Sequence, residues 1–241
     1  MSVSTASTKN NGTLDNSFEN IAKDIIRYQL SEKQLLVGLG SGRAVTKIVK
    51  LLPDEVAENC EFICTSLQIK IEAENKNLKI IDESQIPLID IVIDGADQID
   101  DRFHLIKGGG GALLREKILY FSAKKRIIVA DYTKFVSSFS RSVPIEILPF
   151  CRTAVIPFLQ KIGGTPVLRT LDKGYPYVTE NGNLILDVMF NDYSDILGIE
   201  RELKKIPGIM ETGLFIPAPD LCYCALNDNQ FKKHETNVSS K

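Results

Sequence analysis

The sequence predicts an α/β protein: a doubly wound, mostly parallel, Rossmann-like sheet with a second, smaller α+β domain. Three observations carry this. Through the first half of the chain, short apolar runs alternate with segments of helical spacing, the rhythm of parallel strands covered by helices on both faces. From about Val143 that rhythm gives way to strands joined by turn signals. Near the end, LCYCALN reads as a last strand able to return to the first sheet. The expected division is a disordered tail over 1–15, a Rossmann-like domain over 16–140 plus 217–241, and the smaller domain over 141–216.

Taken in order, residues 1–15 are polar and poor in acids and arginines, which argues for a disordered tail, with a transit-peptide remnant as the alternative. In DNSFENIAKDIIRYQL a polar cap region at Asn16 and Ser17 precedes Ile21, Ile25 and Leu30, spaced for one helix face. QLLVGLGSG is a short apolar strand running into glycines, and RAVTKIVKLL resumes helical spacing through Val45, Ile48, Val49 and Leu52. Then come strand-like EFICTS, helical LQIKIEAENK, strand-like LKII, the strand LIDIVID, the helix GALLREKILYFSAK and the strand RIIVAD. In the second half VPIEIL reads as a strand, PFCRTAVIPFLQKI as a helix that Pro157 bends, and YVTENGNLILDV as a hairpin turned at Asn181 and Gly182. SDILGIERELKKI supplies another helix and GIMETGLFI another strand. No internal repeat is visible.

Composition narrows the function classes. With 29 basic and 31 acidic residues the net charge is −2, so no overall field favours nucleic acid or an anionic membrane, and an anionic ligand must be held by local groups. The five cysteines show neither paired metal-ligand spacing nor the density of a disulfide scaffold. Cys64, Cys222 and Cys224 sit beside apolar or strand-like residues and read as buried thiols, which suggests a reducing compartment. No apolar stretch reaches the roughly 18 residues of a membrane span. A soluble, cytoplasmic protein is expected, with a plastid as the alternative.

Two stretches carry chemistry. GLGSG lies between a strand and a helix, where backbone N–H groups and the helix dipole favour a phosphate. Its spacing, Gly38-x-Gly40-x-Gly42, is not that of a dinucleotide site, and the lysine of a nucleotide loop is absent, so a small sugar or acyl phosphate fits better; tight-turn glycines are the plainer reading. The second stretch is IVIDGADQIDDRFHLIKGGGGALLREK. Asp94 and Asp97 directly follow an apolar strand, the position beyond which ligands bind in open parallel sheets. Lys107 leads into glycines 108–111, where bare backbone can approach a substrate and offer N–H groups to a developing oxyanion. Glu116 is placed in the second turn of the helix that follows. Asp94 alone would be unremarkable as a turn or cap residue. Two carboxylates, an ammonium, a glycine cradle and a further carboxylate together suffice for proton shuttling with neither metal nor organic cofactor. Arg115 projects about 100° away from Glu116 on an ideal helix and is given a structural role.

DGADQIDDRFHLIKGGGGALLREK closely resembles the signature of the type A ribose-5-phosphate isomerases, and ADYTK at 130–134 is similar to the family's next block. GLGSG, VPIEILPF, GGTPVLR, NGNLILDV and IPGIMETGLF fall in the family's order over roughly residues 20–227. The resemblance implies interconversion of ribose 5-phosphate and ribulose 5-phosphate, a two-domain α/β architecture, no cofactor and no metal, and a homodimer or homotetramer. It further implies that Glu116 is the base, that Asp94 and Asp97 assist ring opening and hold hydroxyls, and that Lys107 steadies the oxyanion. Ser41, Gly42, Arg43 and Ala44 occupy the position of the family's phosphate loop. Gly95, Ala96, Gly108, Gly109, Gly110 and Lys134 fall in its substrate-binding positions.

Several positions depart from the family pattern. Arg43 and Ala44 stand where a hydroxyl pair is usual, Ile69 where a threonine is usual, and Gln98 where a glutamate is usual. Arg43 either replaces neutral hydrogen bonds by charged ones or obstructs the pocket. An isomerase of altered preference and a non-catalytic sugar-phosphate-binding homologue are therefore the competing readings, and the retained carboxylates count against the latter.

Overall fold

A computed structural model of the protein describes residues 6–32, 34–82 and 88–236. The first helix, α1 (Ala6–Gln29), opens well before the cap region at Asn16 and Ser17. Residues 6–15, expected in the tail, are thus its first turns, while residues 1–5 lie outside the described residues. Nothing in 6–15 forbids helical dihedrals, since the stretch holds no proline and a single glycine, and extending a nucleated helix costs far less than starting one. The later turns are anchored by Phe18, Ile21, Ala22 and Ile25, all buried.

The strand β1 (Leu35–Leu39) is followed by α2 (Arg43–Leu51), α3 (Asp54–Asn59), β2 (Cys60–Cys64), α4 (Leu67–Asn75) and β3 (Ile89–Asp94). The expected strand LKII reduces to an isolated bridge between Ile80 and Phe62. Next come β4 (Gln98–Ile99), β5 (Leu105–Ile106), α5 (Leu113–Ser122), β6 (Ala123–Asp131) and β7 (Val143–Ile147). In α6 (Ile156–Lys161) Pro157 sits at the first positions and starts the helix instead of bending a longer one, because its missing N–H is needed by no partner there. The chain closes with β8 (Gly164–Leu168), β9 (Leu184–Phe190), α7 (Ile196–Leu203), β10 (Ile209–Thr212), β11 (Leu214–Phe215), β12 (Leu221–Ala225) and β13 (Phe231–Glu235).

Two compact units result. The first takes the described residues up to Gly95, Leu119–Lys134 and those from Pro219 onward; the second takes Ala96–Ile118 and Phe135–Ala218. The segment 96–118 therefore belongs with the smaller domain, against expectation. The cause is long-range pairing: β5 lies between β4 and β11, antiparallel to both, so a strand from the second half of the chain claims this segment.

The first unit is built on a six-stranded sheet of order β13-β12-β6-β3-β1-β2. Its pairings are parallel apart from β12 with β13, and LCYCALN does return to this sheet, as β12 beside β6. Chain order reverses between β1 and β3, which makes their carboxyl ends the switch point of the sheet. Strands buried on both faces read as apolar runs, and all five residues of β1 are buried. The second unit has a four-stranded antiparallel sheet of order β10-β7-β9-β8 beside the small β11-β5-β4 sheet. Its core joins Val143, Ile145 and Ile147 of β7 to Leu159 of α6 and Ile196 and Leu203 of α7.

Candidate active site

In the first unit, the candidate residues gather at the carboxyl edge of the parallel sheet. The N–H of Gly40, just past β1, donates to the Ile93 carbonyl of β3 at 2.8 Å. A Cβ on Gly40 would overlap the Asp94 carboxylate, so only glycine lets these two chain ends meet. Asp94 is buried and its Oδ1 accepts the Gly95 N–H at 2.7 Å. Gly42 has φ of 91°, left-handed backbone that favours glycine, and forms the N-cap of α2. Its N–H donates to Gln68 Oε1 at 3.2 Å, and Gln68 Nε2 donates in turn to Thr46 Oγ1 at 3.1 Å. An amide oxygen thus occupies the donor that the glycine turn would offer a phosphate. Arg43 is exposed at the head of α2, with Ser41 and Ala44 half-buried on either side. Ile69, by contrast, is wholly buried in α4 and belongs to the core, so it is the neighbouring Gln68 that reaches the turn. Lys134 ends a short 3-10 turn after β6 and is half-buried.

In the second unit, Asp97 and Lys107 flank the β4–β5 hairpin. The Asp97 N–H donates to the Ile106 carbonyl at 2.8 Å, and that of Lys107 to the Gly213 carbonyl at 2.9 Å, so both backbones are fixed. The Lys107 ammonium lies 3.2 Å from Glu116 Oε2, with the lysine and glutamate side chains 3% and 6% exposed. At that burial the attraction is little screened, and removing one partner would cost about 3–5 kcal/mol, against about 0–1 kcal/mol for a surface pair. Glu116 falls in the first turn of α5, one turn earlier than the sequence predicted, because the helix opens only at Leu113 after the glycines. Its position there is favoured by the positive end of the helix dipole.

The glycine loop folds against this pair. Gly108 has φ of +99°, and a Cβ there would meet that of Leu113 at 2.8 Å. The Gly109 N–H donates to Asp97 Oδ2 at 2.7 Å. Ala96 and Asp97 are half-buried, and Gly109 and Gly110 are exposed. Arg115 pairs with Glu180 at 2.9 Å and donates from Nε to Asn181 at 2.9 Å, the structural role expected for it. Gln98 is also structural: its Nε2 donates to Ser140 Oγ at 2.8 Å and its Oε1 accepts the Ser140 and Arg141 N–H groups at 2.9 and 3.0 Å.

Sequence reasoning missed three groups. Gln68 stands beside Ile69 in the motif TSLQI, and an amide at the start of a helix is the available signal. Lys117 is buried among Glu211, Thr212 and Glu200 at 2.9, 3.2 and 3.6 Å. Burial holds its ammonium below the ordinary lysine range, against the pull of Glu200 and Glu211. The Phe215 ring lies 5.3 Å from the Lys107 ammonium and 4.8 Å from that of Lys117. Arg169, within GGTPVLR, reaches the glycine loop, and only the fold could reveal that.

A parallel sheet with a glycine turn and an aspartate at its switch point, carried in one chain with a buried ammonium–carboxylate pair against a glycine loop, defines the α/β class of small-molecule proteins equipped for proton transfer. Comparison with known proteins narrows the class. The model of the family Ribose 5-phosphate isomerase A (phosphoriboisomerase A) matches residues 61–229. A ribose-5-phosphate isomerase A of Methanosarcina acetivorans is 37% identical over 229 residues, 93% of this chain and 97% of the relative. A ribose-5-phosphate isomerase of Dictyostelium discoideum is 37% identical over 81% of this chain and 88% of its own. Among solved structures, a D-ribose-5-phosphate isomerase in complex with phospho-erythronic acid superposes with a TM-score of 0.84 at 32% identity, covering 92% of this chain and 98% of that one. The ribose 5-phosphate isomerase from Plasmodium falciparum gives a TM-score of 0.85 at 27% identity, over 93% and 100%. The chain belongs to the ribose 5-phosphate isomerase A family.

Proposed function

We propose that this protein interconverts D-ribose 5-phosphate and D-ribulose 5-phosphate, the isomerisation of the non-oxidative pentose phosphate pathway. The observation that carries the reading is the buried contact of Lys107 and Glu116 at 3.2 Å beside a loop of glycines. In the open-chain aldose, Glu116 removes the proton from C2, and the electron pair moves into a C1–C2 double bond as the C1 carbonyl becomes an enediolate oxygen. Lys107 and the Gly110 N–H stabilise that charge, while the Gly109 N–H holds Asp97. Returning the proton to C1, with transfer of a proton from O2 to O1, gives the ketose. Asp94 and Asp97 assist ring opening and hold hydroxyls. Ser41, Gly42, Arg43 and Ala44 take the phosphate at the head of α2, where dipole and N–H groups favour a dianion. Gly95, Ala96, Gly108 and Lys134 complete the substrate contacts.

No step needs a metal or an organic cofactor, since acid, base and oxyanion donors are all side chains or backbone. Among the described residues no helix is long and apolar enough to cross a membrane. Five free, buried cysteines support a reducing compartment, which we take to be the cytoplasm. Exposed Phe150, Phe158 and Leu148 support self-association into a dimer or tetramer.

Purified protein incubated with ribose 5-phosphate in D2O tests the reaction. Ribulose 5-phosphate should form, with deuterium entering at the carbon that receives the proton. No ketose above the uncatalysed background would overturn the reading and favour a binding protein.

A further inference from the structure

Arg169 follows β8 and has no substrate contact assigned to it above. Its guanidinium is held by Asp187 of β9: Nε–H donates to Oδ2 at 2.9 Å and Nη2–H to Oδ1 at 2.5 Å, a two-pronged pairing. The remaining nitrogen, Nη1, donates to the carbonyl oxygens of Gly108 at 2.8 Å and Gly109 at 3.2 Å. Tyr177, whose ring centre lies 5.9 Å from the guanidinium, donates its hydroxyl to the Gly110 carbonyl at 3.0 Å. Three successive loop carbonyls are thus gripped by two side chains.

Such a grip is what four consecutive glycines need. Glycine loses more backbone freedom than any other residue when it is fixed in one conformation, with no side chain of its own to offset the loss. The grip also sets direction. In a trans peptide the N–H points opposite to the C=O. With the Gly108 carbonyl on Arg169, the Gly109 N–H faces the other way and meets Asp97. With the Gly109 carbonyl on the same guanidinium, the Gly110 N–H turns likewise, and a Cβ on Gly110 would meet nothing within 4 Å, so there is room beside it. A fixed positive charge at the carbonyl end also polarises each peptide, making its N–H a stronger donor.

We propose that Arg169, oriented by Asp187, is a positioning residue for the isomerisation: it fixes the glycine loop so that the Gly109 N–H holds Asp97 and the Gly110 N–H points to the side where the enediolate forms. This rests on the proton-transfer reading of Lys107 and Glu116. Arg169→Lys keeps the charge but cannot serve Asp187 and both carbonyls together, and Asp187→Asn loosens the fork while keeping its shape.

Each variant should lose about 10- to 100-fold in kcat, the scale of an ångström-sized misplacement, with KM changed less than about threefold. Binding of phospho-erythronic acid, whose carboxylate imitates the enediolate, should weaken in parallel with kcat. The double variant should be little worse than either single one, because both act through the same contact. Thermal unfolding read beside these assays separates a positioning role from loss of fold. An Arg169→Lys protein of wild-type kcat, or one whose kcat falls only as its folded fraction falls, overturns the inference. Glu116→Gln, assayed in parallel, separates the two readings: if it stays active, the proton-transfer reading fails, whereas an inactive Glu116→Gln beside a fully active Arg169→Lys sinks the positioning role alone.

Discussion

Glu116 and Gly40 are the residues at which single atoms decide most. Glu116→Gln keeps size and hydrogen bonding while removing basicity, so kcat should fall by about 10² or more with KM little changed. Retention of more than about a tenth of the wild-type rate would take the base role from Glu116. Gly40→Ala tests the switch point: the new methyl must displace the Asp94 carboxylate or part β1 from β3. Overpacking of this kind costs about 1–3 kcal/mol, so the variant should melt lower and turn over more slowly. An unchanged melting curve and rate would show that the strand ends yield without cost. Of the residues that the sequence singled out, Lys107 and Glu116 stood out because an ammonium beside four glycines, followed by a carboxylate early in the next helix, has no packing purpose. Their direct contact was not legible, since it depends on where α5 starts.

α2 is the element on which the phosphate reading rests. Arg43 stands at its head, and a guanidinium there adds charge-assisted hydrogen bonds to whatever the helix dipole attracts. If a charged bond of about 1.5–3 kcal/mol is made to the phosphate, Arg43→Ser should raise KM for ribose 5-phosphate several-fold, with kcat changing less. Steady-state kinetics decide it: an unchanged KM means that Arg43 makes no phosphate contact, and a lowered one means that it obstructs. Gln68, which accepts from Gly42, is the group that a phosphate taking the Gly42 N–H would have to displace. Strand and helix types were largely readable because their apolar periods differ, as in buried β1 and one-sided α2. The reading failed where local pattern was silent: Pro157 begins a helix, and α1 runs on past its expected cap.

At the scale of the molecule, two further outcomes are expected. Dialysis against EDTA should leave activity unaltered, because in the proposed mechanism the carboxylates, ammonium and N–H groups supply the acid, base and oxyanion donors themselves. Loss of activity restored by Mg²⁺ or Zn²⁺ would instead make Asp94 and Asp97 ligands. Light scattering should give a mass at least twice the 26.8 kDa of one chain, since Phe150, Phe158 and Leu148 leave apolar surface that a monomer would expose to water. A monomer at micromolar concentration would refute self-association.

The sequence by itself determined the alternation of strands and helices, the strand character of LCYCALN, and the residue types proposed for proton transfer. These are set by local periodicity and by side-chain chemistry, both written along the chain. Tertiary structure alone decided that 96–118 joins the smaller unit, that Gln68 and not Ile69 reaches the glycine turn, and that Arg169, held by Asp187, grips the Gly108 and Gly109 carbonyls. Each of these depends on partners far apart in sequence, such as β5 with β11 or Arg169 with Gly108, and such pairings leave no periodic trace in the chain that makes them.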